Sequence, residues 1–347
     1  MRFLKRGSPA ADVDDFWAWW PGHGDQIAAA IAAGKYDDRL IADISRGVRA
    51  IHPAMAWELS PGHAARHAFC ISPEGSAGLR QVALRWAEAA PPADDLWEFH
   101  PSRQAASSLS SLAVGPTTFD FASMRAIASW DDQRQRVDVR LWHPGFDGAP
   151  QQVRLQVAFL FLDNLLGEDD VERWVGQIDI LEAPTGGQTP AELKAEVERR
   201  SDESAGSQDA HWVLGSRQRP DGTTEIIVAD GALKRIDHPF ADHHATIAVH
   251  LGVDRMPNDA EAEILNAEED DLQARLDGAA IYVGRTTAAG VRTLHYVTGM
   301  PDGMRPAIDA WAASLPDSVV EGLPARRIKA NFQPDMDWSF RTDLGIG

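Results

Sequence analysis

The sequence predicts a mixed α+β protein of two domains, built from antiparallel sheets with helices on one face. Three observations lead there. Stretches of alternating apolar residues are interleaved with stretches of helical period. The 347 residues suffice for two ordinary hydrophobic cores. Residues 183–210 are rich in Pro, Gly, Ser and charge and poor in apolar side chains, which reads as a linker. It would divide an N-terminal domain, residues 1–205, from a C-terminal domain, residues 206–347.

The N-terminal segment should be helical. Phe16, Trp19 and Trp20 share a helical face, and Pro21-Gly22-His23-Gly24 stops it. A second helix is expected over 25–33. A third carries Leu40, Ile41, Ile44, Val48 and Ile51 and ends before Pro53. A ββαβ pattern follows: strands at 55–59 and 67–72, a helix with Leu79, Val82 and Trp86 inward, and a strand at 96–100. The pattern recurs. Residues 119–130 and 136–142 alternate like a hairpin, 151–166 has the length of a buried helix, and 175–181 would close the unit. The two ββαβ units are expected to share one sheet. After a short charged helix near 190–200, residues 201–209 hold almost nothing apolar.

The C-terminal part gives the clearest pattern. Residues 245–253 alternate as a strand. Asn258 followed by Glu261 has the spacing of a capping box, which starts a helix carrying Leu265, Leu272 and Leu276. Residues 280–285 and 292–298 form a hairpin across Ala288-Ala289-Gly290. Pro306 is expected to open a helix with Ile308, Trp311 and Leu315 inward, and 327–332 closes the set. The order β-α-β-β-α-β is the ferredoxin-like arrangement, with four antiparallel strands and both helices on one face.

Net charge is −19. The excess is spread along the chain: 20 Lys and Arg face 30 Asp and Glu in residues 1–205, and 13 face 22 in 206–347. Such a field repels nucleic-acid phosphates and anionic membranes and serves solubility, or docking on a basic protein. No apolar run approaches the roughly 18 residues of a membrane span. The basic N-terminus lacks the apolar core of a signal peptide. A single cysteine, Cys70, fits a reducing compartment, so the expected location is cytoplasmic.

Motifs with a known mechanism are missing. There is no phosphate-binding glycine loop. Glu74-Gly75-Ser76-Ala77-Gly78 has the wrong spacing for a nucleophile elbow, and Ser76 is expected to cap the following helix. His238, Asp242, His243, His244 and His250 are dense in sequence. On a strand, however, neighbours point to opposite faces, and their spacing matches no zinc pattern. Cys70, between Phe69 and Ile71, reads as a buried structural cysteine rather than a nucleophile. The acidic runs Glu168-Asp169-Asp170 and Glu268-Glu269-Asp270-Asp271 read as solvated helix ends. Trp17, Trp19 and Trp20 either wedge a helix into a core or expose one aromatic side. No catalytic, cofactor-binding or metal-ligating residue is assigned, and no cofactor is expected.

Four stretches together carry a resemblance: Phe16-Trp17-Ala18-Trp19-Trp20; residues 51–58; residues 159–172; and Ala267-Glu268-Glu269-Asp270-Asp271-Leu272 followed by Val283-Gly284-Arg285-Thr286-Thr287. The whole chain resembles a group of uncharacterised bacterial proteins, and its last third is similar to the bacterial domain of unknown function number 695. That resemblance implies no activity. The leading expectation is a non-catalytic protein-binding or regulatory protein. The second is a small-molecule hydrolase with its site in an interdomain cleft. Neither nucleic acid nor membrane is an expected partner. With net charge −19 and no Lys/Arg run, the protein should give no salt-sensitive gel shift with DNA or RNA at physiological salt.

Overall fold

A computed structural model describes residues 9–346 except 36, 110, 116, 184, 185 and 206–209. The fold is mixed α+β. Two compact units form, one of Met1–Asp131 with Arg136–Asp202, the other of Asp132–Gln135 with Glu203–Gly347.

The first unit opens with α1 (Pro9–Trp19), α2 (Gly24–Ala33) and α3 (Asp38–Ile51). The Asp37 carboxylate accepts from Arg39 N at 2.9 Å and starts α3. Strands β1 (Ala56–Pro61) and β2 (His67–Ser72) pair antiparallel, α4 (Ala77–Glu88) crosses over, and β3 (Trp97–His100) pairs parallel with β2. A short hairpin, β4 (Ser111–Val114) and β5 (Thr117–Asp120), follows. Then β6 (Arg125–Asp131) and β7 (Arg136–Trp142) pair antiparallel. After α5 (Gln151–Leu166) and α6 (Glu168–Trp174), β8 (Val175–Ile180) pairs parallel with β7. In both cases a helical crossover returns the third strand parallel, as such connections require. The two three-stranded sheets are separate, which corrects the expectation that they share one.

Each sheet has its own core. Phe16, Trp20, Ile44, Phe69, Trp86 and Trp97 pack in the first. Trp20 is buried and Trp17 and Trp19 are half-buried, with Trp17 Nε1 donating to Trp86 O at 2.8 Å. Phe119, Val139, Phe161 and Leu162 lead the second, and they are joined by Leu193 and Val197 from α7 (Pro190–Ala205). The charged helix expected near 190–200 runs on to Ala205 and packs on this core, because those two residues, four apart, give α7 an apolar stripe. The apolar-poor run continues into 206–209, outside the described residues.

The second unit is one six-stranded antiparallel sheet, in the order β14-β11-β13-β12-β10-β9. Its strands are β9 (Trp212–Gln218), β10 (Thr224–Asp230), β11 (His243–His250), β12 (Ile281–Ala288), β13 (Val291–Thr298) and β14 (Arg327–Pro334). Its helices are α8 (Asp259–Leu276), α9 (Pro301–Ser314) and α10 (Phe340–Asp343). The sheet is two strands wider than expected, because β9–β10 adds a hairpin at the β12 edge. Asn258 and Glu261 form a full capping box on α8. In the β12–β13 turn Ala289 and Gly290 both have positive φ, as a tight two-residue hairpin demands. Helix α9 starts one turn before Pro306, since Met304 is buried and extends the helix into the core. No helix among the described residues is long and apolar enough to cross a membrane.

Trp311 is 1% exposed, packs among Leu265, Leu272 and Ile308, and donates Nε1 to Glu268 O at 2.9 Å. Trp311→Ala should cost about 3–5 kcal/mol, the range of large core truncations. Urea melts of the full chain should show it in the transition of the second unit. A change within about 0.5 kcal/mol would mark a surface position instead.

Candidate functional site

The site lies in the first unit and begins where β2 ends. Pro73 interrupts the ladder, and Ser76 N donates to Pro73 O at 2.9 Å to close a turn. Glu74 and Gly75 inside it have φ of 51° and 74°. For Gly75 this is free; for Glu74 it costs on the order of 1 kcal/mol. Ser76 occupies the N-cap of α4, but its side chain makes no capping bond, contrary to expectation.

Glu168, in the first turn of α6, holds this turn. Its carboxylate is 5% exposed and accepts from Ser72 Oγ at 2.8 Å, Gly75 N at 3.3 Å and Arg103 N at 3.2 Å. Glu168 N donates in return to Arg103 O at 2.9 Å. Arg80 of α4, itself buried, meets Asp169 at 2.6 Å and Glu172 at 2.7 Å and ties α4 to α6. The run Glu168-Asp169-Asp170 is thus no solvated helix end; only Asp170 behaves so, paired with Arg173. In the other unit, buried Glu269 likewise accepts from Tyr282 and Arg285, and Glu268 pairs with Arg326.

Fixed by its backbone, Arg103 turns its side chain among carboxylates. Nη2 donates to Glu74, Nε lies 3.3 Å from Glu58 of β1, and Nη1 lies 3.5 Å from Asp163 of α5. Each guanidinium nitrogen faces an acid. Beside it opens a cleft of about 520 Å³. Glu74, Arg103, Asp163 and Glu168 line its polar side, and Phe159 and Ile178 are among its apolar lining. Arg136 also lines it, with Nη1 donating to the carbonyls of Glu172 and Val175. A second hollow of about 150 Å³ shares Arg103, Leu160 and Asp163 and reaches Glu58.

This crowding shows in proton affinities. Burial, then the charge of Glu168, pushes the Asp163 carboxyl up to about 6 despite Arg103. Glu58 is also raised, chiefly by burial. Burial opposes the charge of Arg103, but Glu74, Glu168 and Glu58 outweigh it and hold the guanidinium protonated. Cys70 is buried, and burial with the Glu58 charge pushes its thiol up to about 12, so it supplies no thiolate.

The histidine-rich stretch does not converge. His243 Nδ1 lies 2.7 Å from Asp242 Oδ1, whereas His244 is buried against Phe340. Among the described residues no group of three or more His, Cys, Asp or Glu is arranged to hold a metal. Sequence reading missed Glu58, Glu74, Arg103 and Asp163, which come from four separate segments; the one local signal was Pro73-Glu74-Gly75, a turn at a strand end. No protein-family model, no curated protein and no solved structure matches the chain.

A carboxyl whose folded value exceeds its unfolded one disfavours the fold when ionised. For Asp163 the folded state holds the extra proton between about 4 and 6, so stability falls as pH rises through that window. Asp163→Asn removes the penalty. At pH 8 the variant should equal or exceed wild type by up to about 3 kcal/mol, and at pH 4 the gain should vanish. Urea melts at both values check it; a variant weaker at pH 8 than at pH 4, relative to wild type, contradicts a raised Asp163.

Proposed function

We propose that the first unit binds a small organic cation in the cleft beside Arg103. One observation carries this reading: every guanidinium nitrogen of Arg103 already faces a carboxylate, while Glu58, Glu74, Asp163 and Glu168 crowd that single charge. An anion would find no free fork to bind. A cation would relieve the repulsion that contributes to raising Asp163 and Glu58, and each pKa unit restored is worth about 1.4 kcal/mol. Phe159, 49% exposed, offers an apolar wall and a ring face for the ligand's body.

A second reading is hydrolysis, favoured by Asp163 alone. A carboxyl titrating near 6 suits a general acid or base at neutral pH. The protein-binding reading of the acidic chain stands beside both. In the second unit, the order β14-β11-β13-β12 with α8 and α9 as crossovers supports a ferredoxin-like reading and the kinship with the domain of unknown function number 695. The two hairpin–helix–strand sets of the first unit support an internal duplication.

Thermal shift with benzylammonium and with benzoate at equal millimolar concentration separates the readings. The ammonium should raise the melting temperature, and Glu74→Gln or Asp163→Asn should abolish the rise. Equal or greater stabilisation by benzoate defeats the cation reading. Hydrolysis of a generic aryl ester with a pH break near 6, lost in Asp163→Asn, would favour the second.

A further inference from the structure

We infer that residues 335–346 form a strap over the six-stranded sheet that opens when the two histidines beneath it gain protons. The sheet has two apolar faces. One carries Ile247, Leu294 and Tyr296 against α8 and α9. Alternation puts Val283 and Val297 on the other face, where Trp338, Phe340, Leu344 and Ile346 cover them. The strap thus takes the place of a helix layer on that face.

Hydrogen bonds tie it to the loop before β11 and to β9. Asp335 N donates to Asp242 O at 2.8 Å, Trp338 Nε1 donates to Ala241 O at 2.7 Å, and Arg217 donates to Asp343 O. Trp338 has φ of 53°, a conformation bulky residues seldom adopt. Burial, rather than local backbone preference, therefore keeps the strap down.

Under it lies a chain of neutral imidazoles. The Phe340 ring stacks on His244 with centroids 3.8 Å apart. Gln333 Nε2 donates to His244 Nδ1 at 3.3 Å, which fixes the His244 proton on Nε2. That Nε2 donates to His295 Nδ1 at 3.0 Å, and His295 Nε2 faces Thr286 Oγ1 at 3.4 Å. Every ring nitrogen is committed. A further proton on His295 Nδ1 would oppose the N–H of His244. One on His244 Nδ1 would require the exposed Gln333 amide to turn its oxygen inward. Either proton places a charge on a buried imidazole beneath the strap, His244 being stacked on the Phe340 ring, and burial disfavours that charge.

A third imidazole, His238, stacks on Trp338 of the strap with centroids 6.1 Å apart, and burial lowers it against the opposing charge of Asp237. The surrounding charges are mixed. On the strap, Asp335 and Asp343 attract a proton to His244. Arg341, also on the strap, is buried and donates to Ile346 O. From β9, Arg217 repels a proton on His295, although Arg217 is itself paired with Glu225 of β10 at 2.5 Å. Burial outweighs the acids: it lowers His244 to about 4, and burial with the His244 and Arg217 charges lowers His295 to about 3. In an open state both would return towards the ordinary value near 6.5. Protons therefore bind the open state preferentially. The closed state is unaffected above about pH 7 and is lost progressively as pH falls below 6.5. Between pH 7.5 and pH 5 the first histidine alone raises the opening constant about 30-fold.

Hydrogen exchange of the full chain at pH 7.5 and pH 5.0, corrected for intrinsic rates, tests this. Amides of 335–346 should lose roughly 30-fold of their protection at pH 5.0, while those of α8 and α9 keep theirs. The loss should persist in His238→Gln and disappear in the variant that adds His244→Gln and His295→Gln to it. Unchanged strap protection, or an equal loss in that variant, overturns the inference. Should the variant fail to fold, imidazole NMR titration of the wild type decides. Titration of His244 in step with strap opening supports the switch; titration near 6.5 with the strap still protected refutes it.

Discussion

The first unit depends on a carboxylate that sees almost no water. Glu168 accepts a hydroxyl and two backbone N–H groups from segments that are far apart in sequence. Hydrogen bonds to a charged acceptor contribute about 1.5–3 kcal/mol each, and leaving a buried carboxylate without them costs more than they give. The turn after β2, the segment through Arg103 and the start of α6 must therefore assemble together. That assembly tolerates the positive φ of Glu74 and points the Arg103 side chain into the cleft. Glu168 thus lines the cleft and also fixes the segments that carry its other polar groups.

Acidity in this chain has an internal use as well as an external one. In each unit a helix carries a carboxylate inward, Glu168 in one and Glu269 in the other, both at most 5% exposed. Glu269 gathers Tyr282, Arg285 and Arg292 much as Glu168 gathers backbone donors. Buried bases nearly match the buried acids, with Arg80, Lys234, Arg292 and Arg341 set against Glu98, Glu168, Glu225, Glu261 and Glu269, so the excess of −19 stays at the surface. Some of the densest acidic runs are bolts between helices and their neighbours.

Local pattern was legible wherever a single segment carried it. The Asn258–Glu261 cap, the hairpin through Ala289-Gly290 and the inward face of Trp311 each depend on residues a few positions apart. Features that depend on partners distant in sequence were hidden. Helix α7 was expected as a short charged helix, but its place in the core was not, because only Leu193 and Val197 mark its buried stripe. The first turn of α9 looked like loop because Pro301, Gly303 and Pro306 mask the pull of buried Met304. Strand β10 buries Ile227 and Ala229, but its place in the sheet comes from pairing with β12, far along the chain, and β9 pairs with β10 alone. The site was hidden most completely, since Glu58, Glu74, Arg103 and Asp163 share no spacing.

Cys70 offers an experimental opening. It is the chain's single cysteine, fully buried in β2, and its thiol is held up near 12. At neutral pH its thiolate fraction is on the order of one in 10⁵, and reagents cannot reach it while the fold is intact. The native protein therefore behaves towards maleimides and spin labels as though it had no cysteine. A probe attached through one introduced surface cysteine would report from that position alone, with the wild-type core left in place.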